Sequence, residues 1–405
     1  MKRVISLTIT GVLLMACSLG TSILSVSTPT PEILSTNTPQ TDPTELPSAT
    51  ASVGEVNLSF PNVSDKKISE YPNEVVLLKS VQFYEQSGED FEVLNNILDF
   101  GTIHFNSKTA AGFRNGKVEI WGFEDGKLYL KQSYDTQQER YYRLRFSHSG
   151  NKLLMRNNDV TPIFYIWDTN SWQLTEIHVD GSDAFFGEAY EISPNGQQFV
   201  WLARKGNTGS IEFRDTSTGQ VLYTYDLPGK FDWTDFNVSV GLAYSSDSKK
   251  LAVGISQEMK ILLLDTDTGK LSDSWSLNSE AGAFHVMLFC SMDEGLALEI
   301  SNLPEPGGAW ESRFETFDIP THSTLYGIHE EHNFTNTLSP VCSQDGKQLI
   351  IDNKNKLSLL DFGTGRVQNT VDQAGSYAIK DVQYHLDDRL LILVTEGNIQ
   401  FWGIP

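Results

Sequence analysis

One stretch of the chain has the residue spacing of a metal site. In LLLDTDTGKL, Asp265, Asp267 and Gly269 lie two residues apart, as at the start of a calcium-binding loop. Such a loop also needs a bidentate Glu at its twelfth position, which is Ser276 when counted from Asp265. The Asp-x-x-x-Gly pattern recurs elsewhere in the chain, where Gly provides the positive φ of a tight hairpin. We therefore interpret it as a structural turn and predict no metal and no cofactor.

A second candidate metal site contains His329 and His332, with Glu330 and Glu331 between them. Zinc enzymes that use two His residues close in sequence place them on a helix as His-Glu-x-x-His. The spacing here differs, and the sequence predicts a loop before a strand. We expect exposed polar residues and keep both His residues as candidate contacts for an organic ligand.

Several predicted loops combine aromatic rings with charged side chains. An exposed ring can stack on a sugar or hold a peptide, and a charged neighbour can orient the ligand. The alternative is that the rings pack beneath their own loops. The candidate ligand-binding residues are Phe185, Phe186, Trp233, Asp235, Trp310, Arg313, His329 and His332.

Catalytic motifs find little support in the sequence. No Gly-x-Ser-x-Gly nucleophile motif occurs. We assign no catalytic residue and expect a binding protein rather than an enzyme. The alternative is a glycan-active hydrolase or lyase that uses carboxylates among the aromatic loops, which would require two carboxylates about 5 to 9.5 Å apart. A purely structural role in the cell envelope predicts no concave site.

The charge of the chain limits its partners. It has 52 acidic and 30 basic residues, which give a net charge of −22. Nucleic acids and anionic lipid surfaces are bound through clustered cations, and the sequence has no Lys/Arg run. We therefore expect no nucleic-acid partner and no membrane contact except through a lipid anchor.

The N-terminus has the features of an export signal. Basic residues at positions 2 and 3 precede an apolar run over residues 4–16, which is too short to span a hydrocarbon core of about 30 Å. The ending Leu-Met-Ala-Cys resembles a bacterial lipobox, which implies removal of residues 1–16 and lipidation of Cys17. We expect the protein on the outer face of the cell membrane, or on the outer membrane if the host has one.

Residues 17–70 are predicted to form a flexible linker. Of the 30 residues from 21 to 50, 18 are Ser, Thr or Pro, and none is aromatic or basic. Such a segment cannot bury enough apolar surface to offset the entropy lost on ordering. We expect an extended, hydrated tether between the lipid and a folded domain.

The remainder of the chain, residues 71–405, is built from a repeat of predicted strands and turns. Its marker is a Trp–Asp or other apolar–Asp pair near the end of the third predicted strand, and the position of this Asp recurs at intervals of 46, 47, 50, 53, 43 and 42 residues. Helical periodicity is absent, so we predict an all-β fold. The Asp position is occupied by Gly122, Asp168, Asp215, Asp265, Asp318, Asp361 and Gly403.

This repeat resembles the blades of bacterial WD-repeat β-propellers. The resemblance rests on Trp167-Asp168, on turns such as Phe146–Gly150, and on the Asp-x-x-x-Gly turns. It implies a seven-bladed, monomeric propeller in which the early segment Asn73–Tyr84 supplies the outermost strand of the last blade. The Gly-His pair of eukaryotic members is missing, so the resemblance does not extend to their partners. The fold hosts many functions and does not identify one.

Cys290 and Cys342 each precede a Ser at what looks like the same position of neighbouring repeats. Equivalent positions on neighbouring blades should lie farther apart than the Cα limit of about 7 Å for a disulfide. We therefore expect two separate buried thiols. Together, these features predict a surface lipoprotein whose propeller is a non-catalytic module for an unknown protein or glycan ligand.

Overall fold

The computed structural model describes residues 60–82, 102–105, 107–114, 116–124, 127–135, 144–157, 162–179, 189–233, 238–278, 282–290, 292–302, 311–331, 340–353, 356–372, 379–395 and 398–405. All of them belong to the compact unit Thr50–Pro405. The expected signal peptide, Cys17 and most of the expected linker lie outside the described residues. None of the described helices has the length and apolar composition that crossing a membrane requires.

The described residues form seven antiparallel sheets of four strands each, and two 3-10 helices at Pro72–Glu74 and Ser256–Glu258. The first fourteen strands are β1 (Val76–Gln82), β2 (Thr102–His104), β3 (Thr109–Arg114), β4 (Lys117–Glu124), β5 (Lys127–Asp135), β6 (Arg145–Phe146), β7 (Lys152–Arg156), β8 (Ile163–Asp168), β9 (Leu174–His178), β10 (Tyr190–Ile192), β11 (Gln198–Lys205), β12 (Thr208–Asp215), β13 (Val221–Asp226) and β14 (Val240–Tyr244). The others are β15 (Lys250–Ile255), β16 (Lys260–Asp265), β17 (Lys270–Ser276), β18 (Ala283–Cys290), β19 (Gly295–Asn302), β20 (Glu311–Asp318), β21 (Ser323–Glu331), β22 (Val341–Cys342), β23 (Gln348–Asn353), β24 (Lys356–Asp361), β25 (Val367–Asp372), β26 (Ile379–His385), β27 (Leu390–Thr395) and β28 (Asn398–Gly403).

Each sheet is one blade of a seven-bladed β-propeller, as the repeat predicts. Blade 1 is β2–β5, blade 2 β6–β9, blade 3 β10–β13, blade 4 β14–β17, blade 5 β18–β21, blade 6 β22–β25, and blade 7 combines β26–β28 with β1. The first strands of successive blades contact one another, for example β10 with β14 and β14 with β18. These first strands therefore surround the central axis, and the fourth strands form the outer rim.

The ring is closed by the N-terminal strand, which confirms the expectation for Asn73–Tyr84. Strand β1 pairs antiparallel with β28, with Val76 opposite Gly403 and Gln82 opposite Asn398. The last blade is thus built from both ends of the described chain. Closure of this kind holds the ring together, and the radial repetition of blades leaves only short sheet edges at the outer rim.

Because successive strands are antiparallel, the connections of a blade alternate between two faces. The turn face carries the connections between first and second strands and between third and fourth strands. The loop face carries the connections within the middle pair and those from one blade to the next. A strand residue next to a connection lies at the face to which that connection belongs.

The recurring Asp residues shape the turns of the turn face, as interpreted from the sequence. Asp265 Oδ1 accepts hydrogen bonds from the backbone N–H of Thr268 at 2.9 Å and from its hydroxyl at 2.7 Å. Gly269, four residues after this Asp, has a φ of 66°. The carboxylate is therefore engaged by its own turn. The same arrangement recurs at Asp168, Asp215, Asp318 and Asp361.

The core lies between the blades, where apolar residues from neighbouring sheets meet. One cluster joins Val200 and Phe213 of blade 3 to Leu242 and Val253 of blade 4. Such residues alternate along the strands, so that each sheet is buried on both sides. Burial of this apolar surface is the main favourable contribution to the stability of the ring.

Residues 60–71, here called the strap, lie across the turn face before β1 begins. Phe60 stacks on His385 with ring centroids 4.5 Å apart, and the side chain of Ile68 is fully buried. The backbone N–H of Ile68 donates to Asp388 O at 2.9 Å, and Ser69 Oγ donates to Asp345 at 2.7 Å. The packed part of the chain therefore begins by Phe60, before the expected boundary at residue 71.

Cys290 and Cys342 form a disulfide, so the prediction of two separate thiols was wrong. Their Cα atoms are 5.7 Å apart, within the usual range for a disulfide. Leu349 and Leu296 occupy equivalent positions, since each pairs with the residue that precedes a recurring Asp. Leu349 is opposite Cys342, whereas Leu296 is opposite Phe289. The two hairpins have the same length, but Cys290 lies one residue nearer its turn than Cys342 does, and this offset, which the similar letters concealed, makes the two positions non-equivalent.

Candidate functional site

Five of the eight ligand-binding candidates lie outside the described residues. These are Phe185, Phe186, Asp235, Trp310 and His332. The other three, Trp233, Arg313 and His329, are described, and the structure does not place them in one group.

Trp233 lies at the loop face, in the connection from blade 3 to blade 4. This connection is held to blade 3 by backbone hydrogen bonds from Leu227 to Gly209 at 2.9 Å and from Phe231 to Asn207 at 2.8 Å. The ring of Trp233 is partly buried and stacks on Phe231, with centroids 4.6 Å apart and planes 20° apart. Trp233 is thus packed by its own loop.

Arg204, near the end of β11, makes the second contact of the Trp233 ring. Its guanidinium carbon lies 4.5 Å from the centroid of the indole, within the range of a cation–π interaction. Only 8% of the Arg204 surface is exposed. With Phe231 and Arg204 both at stacking distance, the indole is already engaged by protein groups. Its ring is therefore less suited to stacking a sugar than the sequence suggests.

Arg313 lies within strand β20 rather than in a loop. It is buried, and its Nε donates to Glu315 Oε1 at 2.8 Å. His329 belongs to strand β21, where it is paired with Arg313. The expected loop before a strand is therefore a strand at this position. The roles of these residues in ligand binding remain predictions.

The described part of the loop face brings together three arginines that the sequence analysis did not select. Arg145 and Arg156 lie at the loop-face ends of β6 and β7 in blade 2, and Arg204 lies at that end of β11 in blade 3. Tyr190, the first residue of β10, lies between the blades. We call Arg145, Arg156, Tyr190, Arg204 and Trp233 the arginine–aromatic cluster.

Tyr190 connects the two arginines of blade 2. The guanidinium carbons of Arg145 and Arg156 lie 5.7 Å and 6.0 Å from the centroid of its ring. The ring is buried between blades, where it packs edge-on against Phe164 at 5.6 Å. Arg145 also forms a salt bridge with Glu191, which links the first strands of blades 2 and 3. The cluster is therefore held by rigid strand ends.

Burial and charge repulsion both act on Arg204. Burial, together with the positive charge of Arg156, lowers its pKa to about 10. The guanidinium still remains protonated near neutral pH. Two buried positive charges close enough to repel each other are unfavourable unless negative charge is nearby. All three arginines make further protein contacts, and each guanidinium has five N–H donors to distribute.

The polar groups of this cluster suit an anion better than a metal ion. Guanidinium and indole N–H groups are donors only, so they attract acceptor groups and repel cations. Among the residues that the structure describes, no group of three or more His, Cys, Asp or Glu side chains has the arrangement to hold a metal ion.

The cluster escaped sequence analysis because its members come from different positions of two repeats. Arg145 begins a first strand, whereas Arg156 and Arg204 end second strands at different distances from their turns. Only the ring arrangement makes them neighbours. The one signal in the sequence is an Arg within an otherwise apolar second strand, as in LLMR and WLAR.

No protein-family model matches the chain, and no curated protein matches it significantly. The seven-bladed fold therefore rests on the strand pairing described above.

Proposed function

We propose that this protein is a lipid-anchored surface protein whose propeller binds a ligand at its loop face without catalysing a reaction. Cys17 would carry the lipid, and residues that precede the strap would form the tether. β-Propellers serve generally as binding scaffolds, and rigid strand ends can hold side chains in a fixed arrangement.

The observation that carries the binding proposal is the arginine–aromatic cluster. In a chain of net charge −22, it collects three arginines at one face, two of them less than one tenth exposed. Buried arginines contribute little to stability compared with apolar residues of similar volume. Their presence at the ends of strands on one face is typical of recognition.

The Cys290–Cys342 disulfide supports the proposed location. Structural disulfides persist in oxidising compartments and are rare where glutathione keeps thiols reduced. An exported protein would fold where this bond can form. The disulfide and the lipobox-like sequence are independent observations that favour the same side of the membrane.

A glycan and peptide array probed with the full chain in mild detergent tests the binding proposal. We expect retention of one chemical class, and weaker retention by the Arg204→Met variant. The Arg214→Met variant is a matched control, because Arg214 pairs with Glu212 and with the backbone of Gly219 at the turn face. Equal retention by all three proteins, or conversion of the retained ligand to products, would contradict the proposal.

Fractionation of cells tests the anchor. The wild-type chain should sediment with membranes, and Cys17→Ala should appear in the medium or periplasm because it cannot be acylated. Mass spectrometry of the N-terminal peptide should show acylated Cys17 in the wild type. Membrane retention of the variant would argue against the anchor while leaving the binding proposal intact.

A further inference from the structure

We infer that the arginine–aromatic cluster is a binding site for a small carboxylate-bearing ligand, an organic acid or a single acidic sugar. The inference rests on the proposed binding function and specifies the ligand of that site. It follows from the type of donors in the cluster, from the burial of those donors, and from the charge of the whole molecule.

The donors of the cluster are chemically uniform. Arg145, Arg156 and Arg204 present guanidinium groups, whose planar N–H pairs match the two oxygens of a carboxylate. A guanidinium can keep its protein contacts and still donate two hydrogen bonds to a ligand. The site therefore selects an acceptor with negative charge.

Trp233 adds a donor that points to the same ligand chemistry. Its Nε1–H is buried and has no hydrogen-bond partner among the residues that the structure describes. Trp121, Trp167 and Trp275 also have unpartnered indole N–H groups, but those side chains are at most 7% exposed. Trp233 is only partly buried, and it lies against Arg204. A carboxylate oxygen would satisfy this donor, which an apolar or cationic ligand cannot do.

The charge of the molecule favours a small ligand over a polyanion. A net charge of −22 repels a polyanionic chain or an acidic protein over distances of about a Debye length. A ligand with one or two carboxylates experiences little of this repulsion, and it gains the full local attraction of the cluster. The site is therefore local and selective, whereas the surrounding surface is acidic.

Isothermal titration of the full chain in mild detergent tests this inference. The probes are succinate, D-galacturonate, the neutral sugar D-galactose, polygalacturonate and inorganic phosphate, each titrated at low and at high NaCl. We expect at least one carboxylate to bind, galactose not to bind, and binding to weaken with salt because the contacts are ionic. Preference between succinate and galacturonate distinguishes an organic acid from an acidic sugar as the source of the carboxylate.

Variants locate the site. Arg204→Met and Arg156→Met should each weaken carboxylate binding about 10- to 100-fold, since each removes charge-assisted hydrogen bonds. Arg204→Lys, which keeps the charge but loses the planar fork, should fall between Arg204→Met and the wild type. Arg214→Met should bind as the wild type does. If Arg204→Met does not fold, the Lys variant and Arg156→Met carry the test.

The melting temperature of the ligand-free Arg156→Met variant, compared with its carboxylate binding, distinguishes a ligand-binding role of Arg156 from a structural one. If Arg156 is kept for a ligand, Arg156→Met weakens carboxylate binding whether or not the loss of its protein contacts changes the melting temperature. A clear fall in melting temperature, together with unchanged carboxylate binding, would show that Arg156 is structural and would overturn the inference.

Other outcomes are also decisive. Binding of galactose as tight as that of galacturonate would overturn the inference and keep the proposed binding function. The same holds if polygalacturonate binds while both small acids do not, or if only inorganic phosphate binds. Consumption of the bound acid would keep the carboxylate site but contradict the non-catalytic function. No binding of any carboxylate up to its solubility would also overturn the inference.

Discussion

At the scale of single residues, the chain places several polar side chains where burial changes their chemistry. Arg204 is one case, and Asp381 on the first strand of blade 7 is another. Burial raises the pKa of Asp381 to about 6, while the amide of Gln383 donates a hydrogen bond to its Oδ2 at 2.6 Å. The hydrogen bond acts against the effect of burial but does not cancel it.

The raised pKa of Asp381 predicts a pH-dependent stability. Because the folded-state pKa exceeds the ordinary value of 3.8, the folded protein binds this proton more tightly than the unfolded chain does. The stabilising contribution is present below about pH 4 and is lost as the pH rises towards 6. Asp381→Asn should therefore raise the melting temperature at pH 7 and have little effect at pH 4, since the amide oxygen can still accept from Gln383.

Differential scanning calorimetry at the two pH values checks this prediction. Asp267→Asn serves as the control, because Asp267 is an exposed turn residue and should show no such difference. A stabilisation of Asp381→Asn that is the same at pH 4 and pH 7 would rule out titration of this carboxyl as the cause.

The structural roles of single residues could be predicted from the sequence only where a local pattern defines them. The Asp265 turn was recognised because its partners lie within four residues. The arginine–aromatic cluster was not, because Arg156 and Arg204 become neighbours only through the packing of two blades. Local sequence contains no information on that packing.

At the scale of elements, the turns of the turn face depend on glycine where the neighbouring blade comes close. Gly269 has a φ of 66°, and a Cβ at this position would lie 2.4 Å from the Cβ of Tyr223 in blade 3. Gly206 also has a positive φ, 58°, but a Cβ there would meet no atom within 4 Å. A comparison of the two positions therefore separates the free-energy cost of the left-handed conformation from the free-energy cost of a steric clash.

We expect Gly269→Ala to destabilise the protein more than Gly206→Ala. The left-handed conformation costs about 1–2 kcal/mol for a residue with a Cβ, and overpacking against Tyr223 adds about 1–3 kcal/mol. Urea unfolding of both variants measures the difference. Equal losses of stability would indicate that blade 3 moves away from the turn at no cost.

The disulfide is an element-scale feature because it joins the first strands of blades 5 and 6. It closes a loop between residues 52 positions apart, and such a crosslink stabilises a fold by about 2–4 kcal/mol. Reductant should therefore lower the melting temperature of the wild type. The Cys342→Ala variant should already melt at a lower temperature, and reductant should not change it.

A wild type that melts at the same temperature with and without reductant would contradict a stabilising role of the disulfide, provided that free-thiol labelling confirms reduction.

The wrong prediction of two separate thiols also has its cause at the scale of elements. The period predicted seven blades correctly, yet the position of one cysteine along its strand decided whether two cysteines meet. A one-residue offset of a single side chain is too small for a repeat pattern to reveal.

At the scale of the whole molecule, the ring depends on contacts between distant parts of the chain. Strand β1 completes the last blade, and the strap packs against blades 7 and 6 before β1 begins. Closure by an early strand could be predicted, because the last repeat supplies only three strands. The strap could not, since its sequence lacks a repeat pattern and its contacts are made with residues about 300 positions later in the chain.

Ile68 is the strap residue whose removal should affect the ring most. Its side chain is fully buried among apolar residues of blades 6 and 7. Ile68→Ala should therefore lower the free energy of unfolding by about 2–4 kcal/mol. Glu70→Ala, at an exposed position of the same strap, should change it little.

Chemical denaturation of both variants measures these effects. Similar stability of Ile68→Ala and the wild type would mean that the strap contributes nothing to the closed ring. Its contacts would then only position the chain that leads to the proposed tether.

The strap also determines how the molecule would respond to mechanical load. A pull on the N-terminal side of the chain, of the kind that the proposed tether would transmit in flowing fluid, reaches Phe60 and Ile68 before it reaches β1. The strap contacts would therefore yield first, and the strand that keeps the ring closed would be loaded last. Because the strap crosses the turn face, such a pull would also orient the propeller with its loop face downstream, away from the point of attachment.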